Sequence, residues 1–536
     1  MQFLAFLNCV KILIIERGYI DMKNVKTIAI FLPQFHEVPE NNMWWGKGFT
    51  EWQAVRTAEP LFEGHYQPKK PYDNFYYDLL DKNTMIKHQK MMNQYGIYGL
   101  SFYHYYFKDG KKILEKPAEN LLKWKDINIP FCFNWASESW IRTWSKIMGN
   151  VWGEKYDKKV KEEGSGILLE QNYGVEKDWI EHFNYMLPFF KDMRYIKKDN
   201  KPLFIFYNSN QITCLDEMIK CWRDLAVQNG FDGLYILGAH VTMGLNQMDG
   251  ILEYQPDEGI VYANDNNKAK IINGVRCYEY SDIVQQIVES KPKLGKKTYF
   301  MGLTGYDTTP RRGINGECIL NNNVETFEYM MDKLYEKSIQ FNNEYVFIDA
   351  WNEWGEGMYL EPDAFNGYKF LEAHKLVVEK YKDKMVDDKT EIANTIFYKD
   401  EQIKILDNTV QKYKSFFDDA IGILSIIQAK KAAFWDYFQK NEIDSVAIYG
   451  MGQLGRILIC EFKKENIKVM YTVDRGVGQF SNEIKMFRPE EILPKVDMLI
   501  VTAYDYKNIL EKLNLNNIKK VISLKELISI IKLQDK

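Results

Sequence analysis

From Lys26 onward, short apolar runs alternate with longer stretches whose apolar positions recur every three or four residues. The runs cover 26–34, 98–106, 129–136, 201–208, 234–240, 250–256, 298–305 and 344–351. Each is nearly continuous in Val, Ile, Leu, Phe and Tyr, the composition of a strand buried on both faces rather than half-exposed. Between them, the three-four spacing predicts amphipathic helices over Lys82–Tyr95, Lys177–Arg194, Leu215–Asn229, Ser281–Ser290 and Val324–Phe341, with another over Phe365–Tyr381 after the last run. Buried strands joined by helical crossovers form a parallel sheet. Eight of them predict an α/β fold, a (β/α)8 TIM barrel over residues 22–385.

The residues at the carboxyl end of each run strengthen that reading. The first run leads into Gln34 and His36, the second into Tyr103 and His104, and the third into Asn134, Trp135 and Glu138. Tyr207, His240 and Asp257 come after the next three, then Asp307, Arg311 and Arg312, and finally Asn352, Glu353, Trp354 and Glu356. Polar and aromatic chemistry gathers at carboxyl ends, the rim on which barrel enzymes build their sites.

Beyond the barrel the pattern changes. Residues 386–440 are helical and polar and predict a connector. Residues 441–536 return to strands and helices as a small Rossmann-like α/β unit. Gly450, Gly452 and Gly455 form G-x-G-x-x-G between a strand and a helix, and Asp474 ends the next strand. Such a turn lets a phosphate approach the helix amino terminus while the acid meets a ribose. The unit either binds a nucleotide or nucleotide sugar or keeps the turn for packing alone. Residues 1–21 hold an apolar run interrupted by Lys11, with no basic flank before it and too short to span a bilayer. They are expected to be untranslated sequence upstream of a start at Met22.

Composition narrows the chemistry. Seventy Lys and Arg against 74 Asp and Glu leave a net charge of −4, without the basic footprint of a nucleic-acid binder. Seven scattered cysteines with no C-x-x-C pair support neither a zinc ribbon nor a disulfide framework, and the dispersed histidines predict no metal site. Unpaired thiols and the missing transmembrane segment predict a cytoplasmic protein, free or at the inner face of the membrane. Trp, Tyr and Phe reach 15%. Flat rings beside carboxylates suit sugars, whose C–H faces lie on aromatic surfaces while their hydroxyls seek polar groups.

The sharpest motif is Trp351-Asn352-Glu353-Trp354-Gly355-Glu356-Gly357. Two glutamates three apart at a strand end can serve one cleft, one giving a proton to a glycosidic oxygen and the other managing charge at the sugar. Apolar walls would keep one protonated while the more solvated one stays ionised. This segment, with Phe31-Leu32-Pro33-Gln34-Phe35-His36, Trp44 through Trp52, Phe133 through Ala136 and Asp307 through Arg312, resembles the WbsX-like family of bacterial polysaccharide-cluster proteins. That family is commonly labelled glycosyltransferase and is similar to glycoside hydrolase family 99, the endo-α-mannosidases.

The resemblance implies a catalytic pair. Glu356 would be the acid/base and Glu353 would assist the sugar 2-hydroxyl, through a 1,2-anhydro intermediate; mannose specificity does not carry over. It implies cleavage or transfer of a glycosidic linkage in O-antigen or capsule metabolism, on an oligosaccharide or lipid-linked glycan, with no cofactor on the barrel. The alternatives are a nucleotide-sugar transferase whose Rossmann-like unit holds the donor, and a non-catalytic glycan binder. Trp44, Trp45 and Trp52 are stacking platforms or core, and His104 either faces the mouth or is a hydrogen-bonded core imidazole. Glu138 binds sugar hydroxyls or pairs with Arg142. Arg311 and Arg312 grip a phosphate or carboxylate or pair with nearby acids.

Overall fold

The computed structural model describes residues 24–141, 167–241, 245–293, 295–382, 384, scattered positions between 397 and 422, 431–450, 452–464, 467–474, 484–489, 491–502, 509–510, 513 and 515–533. The expectation for residues 1–21 lies outside them, as does Arg142. The chain divides into two compact units, Met1–Glu401 and Gln402–Lys536.

The first is a parallel barrel. Its strands are β1 (Lys26–Phe31), β2 (Ile97–Tyr106), β3 (Phe131–Trp135), β4 (Lys201–Phe206), β5 (Tyr235–Gly238), β6 (Gly250–Leu252), β7 (Thr298–Tyr299 and Met301–Leu303) and β8 (Tyr345–Asp349). Each pairs with its neighbour in sequence, and β8 returns to β1 through Lys26↔Tyr345 to Ala29↔Ile348. Strand β7 is interrupted at Phe300: its first segment pairs with β6 and its second with β8, which closes the ring. The apolar runs are buried from end to end, as in β3 and β8. The helices fall where the spacing placed them, among them Lys82–Tyr95, Leu215–Gln228 and Val324–Gln340. The first of these is capped by the Asp81 side chain accepting from Asn83 N–H, and ends at Gly96 in the left-handed region, φ 78°.

The second unit carries a five-stranded parallel sheet: β9 (Ser445–Tyr449), β10 (Lys468–Val473), β11 (Lys485–Phe487), β12 (Val496–Val501) and β13 (Ile518–Ser523). Their spatial order is β11-β10-β9-β12-β13, so the first strand lies at the centre. The short β11 escaped the sequence reading. The helix Lys431–Lys440 was expected in a connector, but Phe434, Tyr437 and Phe438 enter the core of this unit. Among the described residues, no helix is long and apolar enough to cross a membrane.

Candidate active site

The alternation of a strand decides which rim residues reach the barrel mouth. Tyr103 and Tyr105 of β2 line a cleft of about 240 Å³ together with Tyr207, Trp45, Phe49, Trp140, Gln34, Glu138 and Arg312. Its floor carries Glu51, Arg311, Glu353 and Glu356. Tyr103 also shares a hydrogen bond with Tyr254 across the barrel, 2.7 Å between hydroxyls. Glu138 accepts from Asn208 Nδ2 at 2.6 Å.

Arg311 organises the floor. Its Nε donates to Glu51 Oε1 at 2.8 Å, one terminal nitrogen to Glu353 Oε2 at 3.3 Å, and the other to Glu356 Oε1. Burial opposes the guanidinium's charge, yet Glu51, Glu356 and Glu353 outweigh it and hold its pKa well above the usual value. The loop geometry depends on Gly355: a Cβ there would lie 1.6 Å from Glu51 Oε1 and 2.9 Å from Arg311 Nε. Beneath the loop, Asp307 N–H donates to the Glu356 carbonyl at 2.6 Å.

The two glutamates of the motif differ in surroundings. The Glu353 side chain is 6% exposed and that of Glu356 is 23% exposed. Burial pushes the Glu353 carboxyl up to about 8; Arg311 works against the rise, and the charges of Glu356 and Glu51 add to it. Sequence reasoning made Glu356 the protonated member, whereas the desolvation it invoked falls most heavily on Glu353. Asp349, the last residue of β8, is fully buried, and burial with the charges of Glu353, Glu356 and Asp257 drives its pKa well above the ordinary value.

Several expected site residues lie behind the cleft wall. His104 alternates with Tyr103 and Tyr105 and so points outward, where its Nε2 meets His182 Nε2 at 2.8 Å. Burial lowers its pKa to about 3, so it is a neutral core imidazole and does not face the mouth. Trp135 likewise turns outward onto His182 and Trp222. Asn134 points into the barrel below the cleft, with Nδ2 3.5 Å from Tyr254 OH. Trp44 is buried against Trp140, and Trp52 donates to the Tyr77 carbonyl at 2.8 Å. His36 is buried too, and desolvation lowers its pKa.

Asn352 and Trp354 hold the motif loop in place. Asn352 bonds both backbone groups of Leu32, at 2.8 and 3.0 Å, while Trp354 stacks on Tyr359 at 3.7 Å and donates to Glu361. Asp307 receives hydrogen bonds from His65, Gln67 and Thr309. Burial works the other way, but these bonds and the Lys69 charge bring its pKa down to about 2. His65, Asp307 and Cys318 gather their potential ligand atoms within 4.8 Å, the spacing of a metal site. They do not fit one: His65 Nδ1 accepts from Leu61 N–H and Nε2 bonds Asp307, so neither ring nitrogen is left to coordinate.

Sequence reasoning missed Glu51, which is buried and 260 residues from the arginine it binds. Its position inside the Trp44–Trp52 motif was the available signal. In the second unit, Gly450 has φ 93°, and a Cβ on Gly455 would lie 2.1 Å from the Gly450 carbonyl oxygen. The two glycines therefore permit a tight strand-to-helix turn. Gly452 caps the helix Gln453–Phe462, and Asp474 comes directly after β10.

A family model described as glycosyltransferase WbsX matches residues 27–374. Two curated relatives, both called uncharacterized protein WxcX and from strains of Xanthomonas campestris pv. campestris, are 28% identical over 370 residues, 66% of this chain and 50% of theirs. The chain thus spans about half the length of the curated relatives it matches. Among solved structures, the GH99 endo-alpha-mannosidase from Bacteroides thetaiotaomicron is 15% identical at a TM-score of 0.41, over 66% of this chain and 97% of that one. A glycoside hydrolase-like protein is 13% identical at 0.40, over 68% and 97%. Because the matched segment runs from β1 into the helix Lys369–Tyr381 after β8 and covers more than half of the chain, the chain belongs to the glycosyltransferase WbsX family.

Proposed function

We propose that the barrel cleaves or transfers a glycosidic linkage of a bacterial surface polysaccharide at the Glu353–Glu356 pair. The observation that carries this reading is the Arg311 fork, which gathers two rim glutamates on the floor of an aromatic-walled cleft. Membership of the WbsX family supports a carbohydrate-active enzyme.

The chemistry needs one proton on the pair. Burial rests that proton on Glu353; the reactive state is the one in which it has passed to Glu356, so that Glu353, then ionised, takes the proton of the sugar 2-hydroxyl. The 2-oxygen closes on C1 as the C1–O bond breaks, and Glu356 protonates the departing oxygen. A water or an acceptor hydroxyl then opens the ring at C1, giving its proton to Glu356 while the 2-oxygen recovers one from Glu353. A carboxylate whose pKa lies near 8 is a stronger base than an ordinary glutamate, which suits it to a weakly acidic hydroxyl. Turnover needs an acid and a base at once, so it should be bell-shaped in pH.

A nucleotide-sugar transferase is the second reading, favoured by the glycine turn at the central strand of the smaller unit. It makes that unit the donor holder, at Gly450, Gly452, Gly455 and Asp474. Calorimetry of the full chain with UDP-sugars, GDP-sugars and NAD(H) tests it, and no heat with any of them refutes it. For the barrel, Glu353→Gln and Glu356→Gln are compared with the parent on panels of aryl glycosides and nucleotide sugars. Each substitution is expected to cut turnover at least ~100-fold, the scale of one general acid or base, and Glu356→Gln to act most on poor leaving groups. Unchanged turnover in both variants would sink the proposal.

A further inference from the structure

Trp354 of the motif loop also floors a second cavity, of about 280 Å³ against about 240 Å³ for the cleft, and the two share no lining residue. The polar groups of this floor are already matched: the buried Glu361 accepts at Oε2 from Tyr77 OH at 2.9 Å and from Trp354 Nε1 at 2.6 Å. The walls are aromatic. Phe75 and Tyr368 are half-buried there, and Tyr72, 39% exposed, meets Tyr368 edge-on at 5.1 Å. Backbone bonds fix these walls, Tyr72 N–H donating to the Pro362 carbonyl at 2.9 Å and Ala364 N–H to that of Lys70 at 2.8 Å. At the mouth stand Asp73 and, about one turn apart on the helix Lys82–Tyr95, Lys87 and Lys90, all three exposed. Lys87 lies over the Phe75 ring at 4.0 Å, and among the described residues neither lysine has an ion-pair partner.

We propose that this cavity is a second carbohydrate site, taking one neutral pyranose ring of a glycan. Three features select that ligand. The volume suits a single sugar, below the pockets of about 300 to about 1,000 Å³ that hold larger ligands. Half-exposed rings offer flat apolar faces to the C–H bonds of a sugar while their edges stay in water, so they match a ligand that is itself half polar. The mouth supplies both kinds of polar partner, ammonium donors from Lys87 and Lys90 and a carboxylate acceptor from Asp73, as hydroxyls that donate and accept require. A phosphate or sulfate would use the lysines but would meet the charge of Asp73 and leave the aromatic walls without a partner. The choice of a sugar rests on the carbohydrate-active reading of the barrel. The wall and mouth residues take no part in the proposed reaction, so binding here and turnover in the cleft can be measured apart.

Saturation-transfer NMR on the full chain tests this, with the methyl glycosides of glucose, galactose, mannose, rhamnose and N-acetylglucosamine as probes. Concentrations from about 0.1 to about 20 mM bracket the affinity of a shallow single-sugar site. At least one probe should bind saturably. Tyr72→Ala with Lys90→Ala, both at exposed positions, should weaken that binding at least ~10-fold with unchanged circular dichroism, and Lys90→Ala alone should weaken it less. Glu356→Gln, in the cleft, should leave it unchanged. No saturable binding by any probe, or binding that survives the Tyr72–Lys90 double variant, overturns the proposal. Loss of binding in Glu356→Gln also overturns it and assigns the sugar to the cleft. None of these outcomes bears on the Glu353–Glu356 reading, which turnover decides.

Discussion

Glu353→Gln should stabilise the protein while disabling it. Glu353 is buried, and that burial raises its pKa to about 8, against an ordinary value of 4.5. Below about pH 4.5 the group is protonated in both the folded and the unfolded chain and contributes nothing to the pH dependence. Between 4.5 and 8 the unfolded chain has released that proton and the folded chain still holds it. Folding therefore loses about 1.4 kcal/mol per pH unit across this window. At about pH 7 the accumulated penalty is about 3 kcal/mol, a sizeable share of the stability of an ordinary domain. Glutamine keeps the shape and an acceptor for Arg311 without the ionisation, so the variant should gain about that much near neutral pH and almost nothing at about pH 4.5. Urea unfolding of parent and variant, monitored by tryptophan fluorescence at several pH values, reads the difference; the barrel transition is the one that should move. A variant no more stable than the parent near neutral pH, or one whose advantage persists unchanged in acid, would refute the assignment of the buried proton to Glu353.

Arg311→Met leaves Glu51, Glu353 and Glu356 crowded without their cation, and should cost about 3–5 kcal/mol at about pH 7.5. Chemical denaturation of parent and variant at that pH checks this, and an unchanged midpoint would refute it. Gly355→Ala drives a methyl into the Glu51–Arg311 contact and should cost about 1–3 kcal/mol and most of the activity, measured by thermal unfolding and turnover.

The barrel was legible because its signal is periodic: eight apolar runs and the helices between them leave little freedom once the sheet is parallel. The motif loop was legible because its residues are contiguous. What the sequence could not resolve was direction. His104 and Tyr105 are adjacent, both polar-aromatic, and a strand sends them to opposite faces; only the register with neighbouring strands says which enters the cleft. The Trp135 misassignment has the same origin. Arg311 shows a different limit. As a sequence element it is a basic residue beside another, suited to an anion on the substrate. In the fold, each of its three nitrogens donates to one of Glu51, Glu353 and Glu356, and Glu51 arrives from the far end of the barrel segment. The protein supplies the anions itself. That leaves Arg312 as the cleft-lining arginine outside the fork, and makes the protonation of the floor, rather than a docked phosphate, the property that Arg311 controls.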